Sequence, residues 1–433
     1  MTAVPADSSR NATATLVAAV VLCLSFAGRA PAATVNVPAG GSGLASAIAN
    51  AQAGDRLLLT PGIHRGPILI TKSVTLSGAA PGATIKGNDK GSVVTVKAPG
   101  VTLENFTVTG SGLLLETQDS GVFLSKEATG ARVRHVKVLD NLIGIYVWGA
   151  RDAVVENNTI VGRRDLRVNE RGNGIQIWNA PGARIIGNSI RYGRDGIFVT
   201  TSKKNVFADN LFEDLRFGVH YMYTNSSRVS GNVSRRNHLG YAIMFSRRIE
   251  VLDNQSRGDR DRGILFNYAN RVTVRGNAVT GGPEKCVFIY NSNKNTIAGN
   301  LFRDCAIGIH FTGGSERNAI HGNAFVRNRT QVKYVGTRWV EWSHDGKGNY
   351  WSDHPAFDLD RDGVADSAYR PNDLTDHILW RFPSAKLLTN APAVQVLKWA
   401  QRSFPALHPG GVIDRSPLML PPANLAKHME GGK

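Results

Sequence analysis

A six-residue pattern recurs along the chain: an aliphatic residue, two further residues, asparagine, one more residue and an apolar one. It places Asn158, Asn188, Asn210, Asn232, Asn254, Asn277, Asn300 and Asn323 in one slot, with steps of 30, then 22, 22, 22, 23, 23 and 23. A near-constant period of this size makes each unit one coil of a solenoid, whose backbone hydrogen bonds run to the coils before and after it. Asparagines stacked at a turn bond each other's amides, which accounts for the residue type. Phe106 and Val136 fill the slot in two earlier coils.

A second repeat follows the first. Gly144, Gly174, Gly196, Gly218, Gly240, Gly263 and Gly308 each open a short run whose first and third residues are nearly always aliphatic or aromatic. Alternation of this kind predicts strands of one parallel sheet, with the first and third residues turned inward and the second and fourth outward. The fold class expected is all-β: a right-handed parallel β-helix of 22–23-residue coils. Leu44 to Gln52 is a short amphipathic segment suited to plugging the open end, which would otherwise aggregate. Two coils carry insertions, around Gly110 to Ser120 and Arg163 to Asn173, both between the asparagine slot and the glycine strand. They should project on the same side. The second, with Arg163, Arg164, Arg167 and Arg171, reads either as a solvated basic loop or as a flank of a binding face.

After Tyr334 the period stops and tryptophans appear at 339, 342, 351, 380 and 399, with a helix-like stretch from Pro392 through Phe404. The organisation expected is a signal peptide over 1–32, the β-helix over 33–335, and a mixed, partly helical capping or docking segment over 336–433. Arg10, the apolar run Leu16 to Phe26 and the small-residue site Ala30-Pro31-Ala32 carry the signal-peptide reading, with cleavage near Ala32 and the periplasm as destination.

Composition narrows the functional classes. No later stretch of the 433 residues is long and apolar enough to span a bilayer. The formal charge is +17, of which Arg10 and Arg29 against Asp7 remove only one with the signal, so the mature surface favours acidic partners, anionic polysaccharide or membrane headgroups, and equally fits simple solubility. Nucleic acid is excluded as a partner for a secreted chain. Of three cysteines, Cys23 leaves with the signal; Cys286 and Cys305 lie on adjacent coils a few residues out of register. One disulfide and two buried thiols both stay open there.

The outward positions of the glycine strands are too apolar for a solvated face: Phe123, Tyr146, Trp148, Gln176, Trp178, Phe198, His220, Met222, Met244, Phe288, Tyr290 and His310. Tyr146, Trp148, Trp178, Phe198, Tyr290 and His310 are expected to form a docking face, unless a loop or the C-terminal segment folds over them. Within the stripe, His220 and Met222 share one strand, Met244 takes Met222's slot on the next coil, and His238 lies in the turn before it. Strand spacing sets the two thioethers roughly 5 Å apart. Thioethers with imidazole form a soft ligand set suited to Cu(I) and poor for calcium or magnesium. The plain alternative is a methionine-containing docking patch with a stray histidine. An enzyme acting on acidic polysaccharide, such as an epimerase or lyase, is the competing class, but paired carboxylates are missing from the groove-facing slots. In the C-terminal segment Asp358, Asp360, Asp362, Gly363 and Asp366 resemble a short calcium loop, although Tyr369 stands where an EF-hand has its bidentate Glu. An aspartate-rich turn satisfied by backbone amides is the alternative.

Gly348-Asn-Tyr-Trp-Ser-Asp353, the aspartate loop, Tyr369-Arg-Pro-Asn-Asp373, Leu379-Trp-Arg-Phe-Pro383, Pro392-Ala-Val-Gln-Val-Leu397 and Arg402-Ser-Phe-Pro-Ala-Leu407 together resemble the NosD family, periplasmic maturation factors of nitrous-oxide reductase. The likeness spans the mature chain, and the C-terminal string is its specific part. What the resemblance implies is a non-enzymatic accessory protein, membrane-associated only through its partners. Those partners would be the permease and ATPase subunits of an ABC transporter, a copper chaperone lipoprotein and the reductase. Its task would be transient handling of copper for the reductase's copper-sulfide centre.

Overall fold

The computed structural model describes residues 32–336, 338–382, 384–385, 391–404 and 410–425. The signal-peptide expectation therefore lies outside the described residues, except at its last position. The chain winds into a parallel β-solenoid with three strands per coil. The first sheet has 13 strands, from Thr34–Val37 to Ala319–His321; the second has 13, from Gly62–Arg65 to Tyr350–Trp351; the third has 12, from Ile68–Ile70 to Thr330–Val335. The runs opened by glycine form the third sheet, and neighbouring coils pair in register, as where Phe217–Met222 sets Val219 against Tyr241 and Met222 against Met244.

Side-chain alternation fixes this arrangement. Ile197, Val199, Val219, Tyr221 and Ile243 point into one continuous core and are fully buried there, each contributing roughly 1.5–3 kcal/mol relative to an exposed position. The recurrent glycine has a steric reason. A Cβ on Gly218 would stand 2.7 Å from the Gly240 carbonyl oxygen, so the coils could not stack as closely with any larger residue.

The asparagine slot lies in the turn between the first and second sheets, and its members bond in series. The backbone N–H and side-chain Nδ2 of Asn210 both donate to Oδ1 of Asn232 at 2.9 Å, and Asn232 donates likewise to Asn254. The stack runs beyond the period read from the sequence, since Asn323 donates to Asn349. Asn349, Tyr350 and Trp351 thus belong to the solenoid, past the boundary expected at 335. The buried carboxylate of Asp414 ends the stack, accepting from the Asn349 amide at 2.7 Å and the Trp351 indole at 2.9 Å.

Both ends are closed. Helix α1 (Gly43–Asn50) buries Leu44 and Ile48 over the first coil. At the other end Trp342 packs against Phe311 and Phe325, Trp351 against Phe325, and Tyr369 against Trp351. There Gly411–Ile413 pairs in parallel with Trp339–Glu341. Helix α2 (Leu374–Arg381), opened by an Asp373/Asp376 capping box, was not expected from the sequence; helix α3 (Pro392–Ser403) matches the helix-like stretch. Cys286 and Cys305 form a disulfide, which decides between the two states left open. Among the described residues no helix is long and apolar enough to cross a membrane.

Candidate functional site: a histidine–methionine patch on the third sheet

The outward face of the third sheet divides into two parts. In the earlier coils, Phe123, Tyr146 and Trp148 cluster with Leu142 and Ile143, and Leu166 from the second insertion packs on them. Trp148 stacks on Trp178 with ring centroids 5.6 Å apart. Tyr146 is only 6% exposed, which corrects its expected place in a docking face, whereas Trp178 and Tyr290 remain exposed. The two insertions meet over the next coil, where the Gln176 side chain donates to Gln118. There Leu115, Gln118, Arg171, Asn173 and Asp195 border a cavity of about 240 Å³ beside Phe198.

Beyond the insertions lies the constellation of soft ligands. Asp195 stands just before Gly196, almost wholly buried, and its carboxylate takes two bonds from the Arg216 guanidinium, Nε to Oδ1 at 2.8 Å and Nη2 to Oδ2 at 2.6 Å. The same Oδ2 lies 3.0 Å from Nδ1 of His220. Burial alone would raise the Asp195 carboxyl, but the hydrogen bonds from His220 and Arg216 outweigh it and hold the group below the usual carboxylate range. In the neutral tautomer that donates Nδ1–H to this carboxylate, Nε2 carries the free lone pair of the ring, the arrangement that orients histidines toward metals. The rings of Phe198 and Phe217 flank the imidazole, each with its centroid 5.0 Å away.

Met222 lies two residues further along the same strand and on the same face as His220, and its register partner is Met244. Both methionines are half-buried. Ala242, fully buried, is the register partner of His220 and leaves room beside the ring. Leu239, Ala242 and Leu265, with Phe217, Met244 and Phe288, make the surround apolar. In Met244's slot on the following coil, Asn267 has a buried Oδ1 without a hydrogen-bond partner.

His238 is not brought to this patch. It precedes Leu239, the partner of Phe217, so strand spacing leaves it roughly 13 Å along the sheet from the level of His220. Its ring turns instead toward Asp261, with Nε2 to Oδ2 at 3.7 Å. His310 occupies the slot of His220 several coils later, beside Phe288 at 4.8 Å, and its Nδ1 is buried without a partner. Burial, followed by the charges of Lys333, Lys285 and Arg262, pushes this imidazole down to about 4, so it is neutral at physiological pH.

In the C-terminal segment the carboxylates of Asp358, Asp360 and Asp362 lie within 4.8 Å of one another. They also accept backbone amides: Asp358 from Arg361 at 2.6 Å and Gly363 at 2.9 Å, Asp362 from Val364 at 2.7 Å. Asp366 turns to the Leu359 amide at 2.7 Å. The Asp362 amide pulls the Asp360 carboxyl down, but the adjoining Asp362 and Asp358 carboxyls prevail and raise it, as crowded acids do.

Sequence reading missed Asp195, because exposure was counted from the residue after each glycine and not from the residue before it. Its signal was present, since Asp195 and Phe217 hold the same slot one coil apart.

A family model described as a periplasmic copper-binding protein, NosD, matches residues 156–356. The chain is 41% identical over 416 residues to the "Probable ABC transporter binding protein NosD" of Stutzerimonas stutzeri, an alignment covering 93% of this chain and 94% of that protein. It is 40% identical over 381 residues to the protein of the same name from Pseudomonas aeruginosa, covering 85% and 89%. Among solved structures, DFA-IIIase from Arthrobacter chlorophenolicus A6 without its lid aligns over 70% of this chain and 96% of that one. The TM-score is 0.50 and the identity 15%, a likeness of fold alone.

Proposed function

The chain belongs to the NosD family, and from that premise we propose that it is a periplasmic, non-enzymatic accessory protein that receives Cu(I) and passes it on for assembly of the copper-sulfide centre of nitrous-oxide reductase. The observation that carries this reading is the soft donor set: His220, fixed through Nδ1 by buried Asp195 with Nε2 left bare, two residues from Met222, whose partner across the sheet is Met244. Copper is the cargo. The two thioethers and Nε2 hold it, the apolar surround keeps water from competing, and the neutral, flexible methionines release it to a stronger acceptor.

The C-terminal segment is the dock for the ABC transporter's permease, through which the ATPase subunits join the assembly. Its helix α3 exposes Val396 and Trp399, each 63% accessible, with Phe404 just after it at 57%, and single-sided apolar exposure of this kind suits a protein interface. The copper chaperone lipoprotein and the reductase are the donor and acceptor of the cargo. Deleting the whole segment would also remove Asp414 from the asparagine stack, so the cleaner test is Val396→Ser/Trp399→Ser. Co-purification with the permease should fall sharply while the fold persists, and undiminished recovery would refute the dock.

For the cargo role, a deletion strain complemented with Met222→Leu/Met244→Leu should make reductase deficient in copper. Reductase with full copper content would sink the reading. We assign the Asp358 to Asp366 turn to calcium, as a local brace of the capping segment.

A further inference from the structure

One coil position beyond the methionines, the turn that leaves the third sheet carries aromatic side chains that the copper reading does not use. Tyr223, Phe245 and Tyr268 follow Met222, Met244 and Asn267 in sequence, and all three are exposed. Their rings stack along the solenoid axis with centroids 5.1 and 5.2 Å apart and interplanar angles of 19° and 9°. Each residue sits in the left-handed region, at φ of 50°, 49° and 51°. Bulky residues are rare there, and such positions cost on the order of 1–3 kcal/mol each. The adjoining coils hold the smaller Thr201 and Asn291 in this slot, at φ of 55° and 44°.

The aromatic stack forms one wall of a groove of about 840 Å³, whose other wall includes Arg247, Arg271, Lys294 and Arg317. Three of these cations belong to a ladder with one member per coil: Lys204, Ser226, Arg248, Arg271, Lys294 and Arg317. The amide of each donates to the carbonyl just ahead of the next. All are exposed, and among the described residues none of the five cations has an ion-pair partner. Rungs of a parallel sheet are about 4.8 Å apart, so the fold stacks like charges at a spacing that is destabilising by itself. The same coils do supply an acid where pairing is structural, since Arg228 meets Glu250 at 2.6 Å. Within the groove the acid is Glu316, which faces Arg338 at 3.6 Å.

We infer that this groove docks an extended, carboxylate-rich segment of a partner protein, laid along the solenoid axis. The charge pattern asks for repeated anions, and guanidinium forks match carboxylates in geometry. The aromatic wall discriminates between anionic polymers. Phe245 is sandwiched between Tyr223 and Tyr268, and the rings stack along the solenoid axis, so a polymer laid along that axis meets ring edges and not the row of free faces that pyranose rings would stack on. The outward ring edges carry the positive part of the quadrupole and suit carboxylates and apolar side chains of a peptide. The inference is independent of copper, because no ladder residue belongs to the donor set.

The test is fluorescence anisotropy on copper-free protein at about 0.15 M ionic strength, where charges beyond roughly 8 Å are screened, with a fluorescein-labelled dodecapeptide of alternating glutamate and tyrosine. Wild type should bind it. Arg271→Glu/Lys294→Glu/Arg317→Glu should weaken binding roughly tenfold or more. Phe245→Ser/Tyr268→Ser, which leaves every charge in place, should weaken it several-fold. Arg132→Glu/Arg151→Glu/Arg184→Glu, an equal charge change at exposed positions remote from the groove, should alter it by less than about twofold. The inference is overturned by absence of binding, by an equal effect of the remote triple, or by an alginate oligomer that binds the groove more tightly than the peptide. Thermal melts identical to wild type establish that each variant is folded.

Discussion

The asparagine stack between the first and second sheets and the histidine–methionine patch on the third occupy the same coils, yet their polar atoms meet opposite fates. In the stack every rung is closed: Asn188, Asn210, Asn232 and Asn254 each give two bonds to the next rung, and the series ends on Asp414. In the patch the valences stay open: His220 is fixed on one nitrogen only, two thioethers face each other across the register, and Asn267 has an unpartnered oxygen. A repeat that satisfies itself is structural. A departure from the repeat that leaves donors unfilled is where a ligand can enter.

That contrast is sharpest under substitution. Asn232→Ala should strand the buried N–H of Asn210 and take one of two bonds from Asn210 Nδ2 and one of two from the Asn254 oxygen, lowering unfolding free energy by about 2–4 kcal/mol in a urea titration. Met222→Leu/Met244→Leu should cost less than about 1.5 kcal/mol in the same measurement, because volume and apolarity are kept. A patch substitution as damaging as a stack substitution would erase the distinction.

A buried carboxylate in the turn between the second and third sheets gives the next largest effect. Asp259 accepts from the Asn237 amide at 2.8 Å and from the hydroxyls of Ser234 and Ser256 at 2.6 Å, and burial, the leading cause, pushes its carboxyl up from 3.8 to about 6 despite those bonds. An acid whose folded pKa is raised binds its proton more readily when folded, so stability falls as pH rises from about 4 to 6 and levels off above. The loss is on the order of 3 kcal/mol. Asp259→Asn should abolish that slope in melts taken across the window, and an unchanged slope would assign it to other groups.

The smallest effect concerns the aspartate turn, whose carboxylates are already part-satisfied by amides. Millimolar calcium should stabilise the protein by about 1 kcal/mol, seen as a rise of a few degrees or less in melting temperature that Asp358→Asn/Asp362→Asn removes. No rise would leave the turn as a hydrogen-bonded loop.

These regions also differ in how far the sequence reveals them. The stack, the third-sheet strands and the facing of Met222 and Met244 are legible because a fixed period converts sequence spacing into spatial register. The same arithmetic misplaced His238, since a residue in the turn before a strand shares a coil with the site but not its level. Asp195 was overlooked although one period and three residues separate it from His220. The role of Asp414 was out of reach, because it lies 65 residues from Asn349 in a segment without a period. Helix α2 buries only Thr375 of its eight residues and so has almost no apolar stripe to read. The aromatic slot at Tyr223, Phe245 and Tyr268 kept the period but stood one place past the positions counted as outward.

On this reading the open valences at His220, Met222 and Met244 take up Cu(I). Anaerobic titration of the purified protein with Cu(I) against a competing chelator tests this directly, with Met222→Leu/Met244→Leu and Asn232→Ala as the two comparison variants. Wild type and the folded fraction of Asn232→Ala should each take up one tight equivalent, and the double methionine variant should lose it. Equal Cu(I) uptake by wild type and the methionine variant, or none by either, would contradict it.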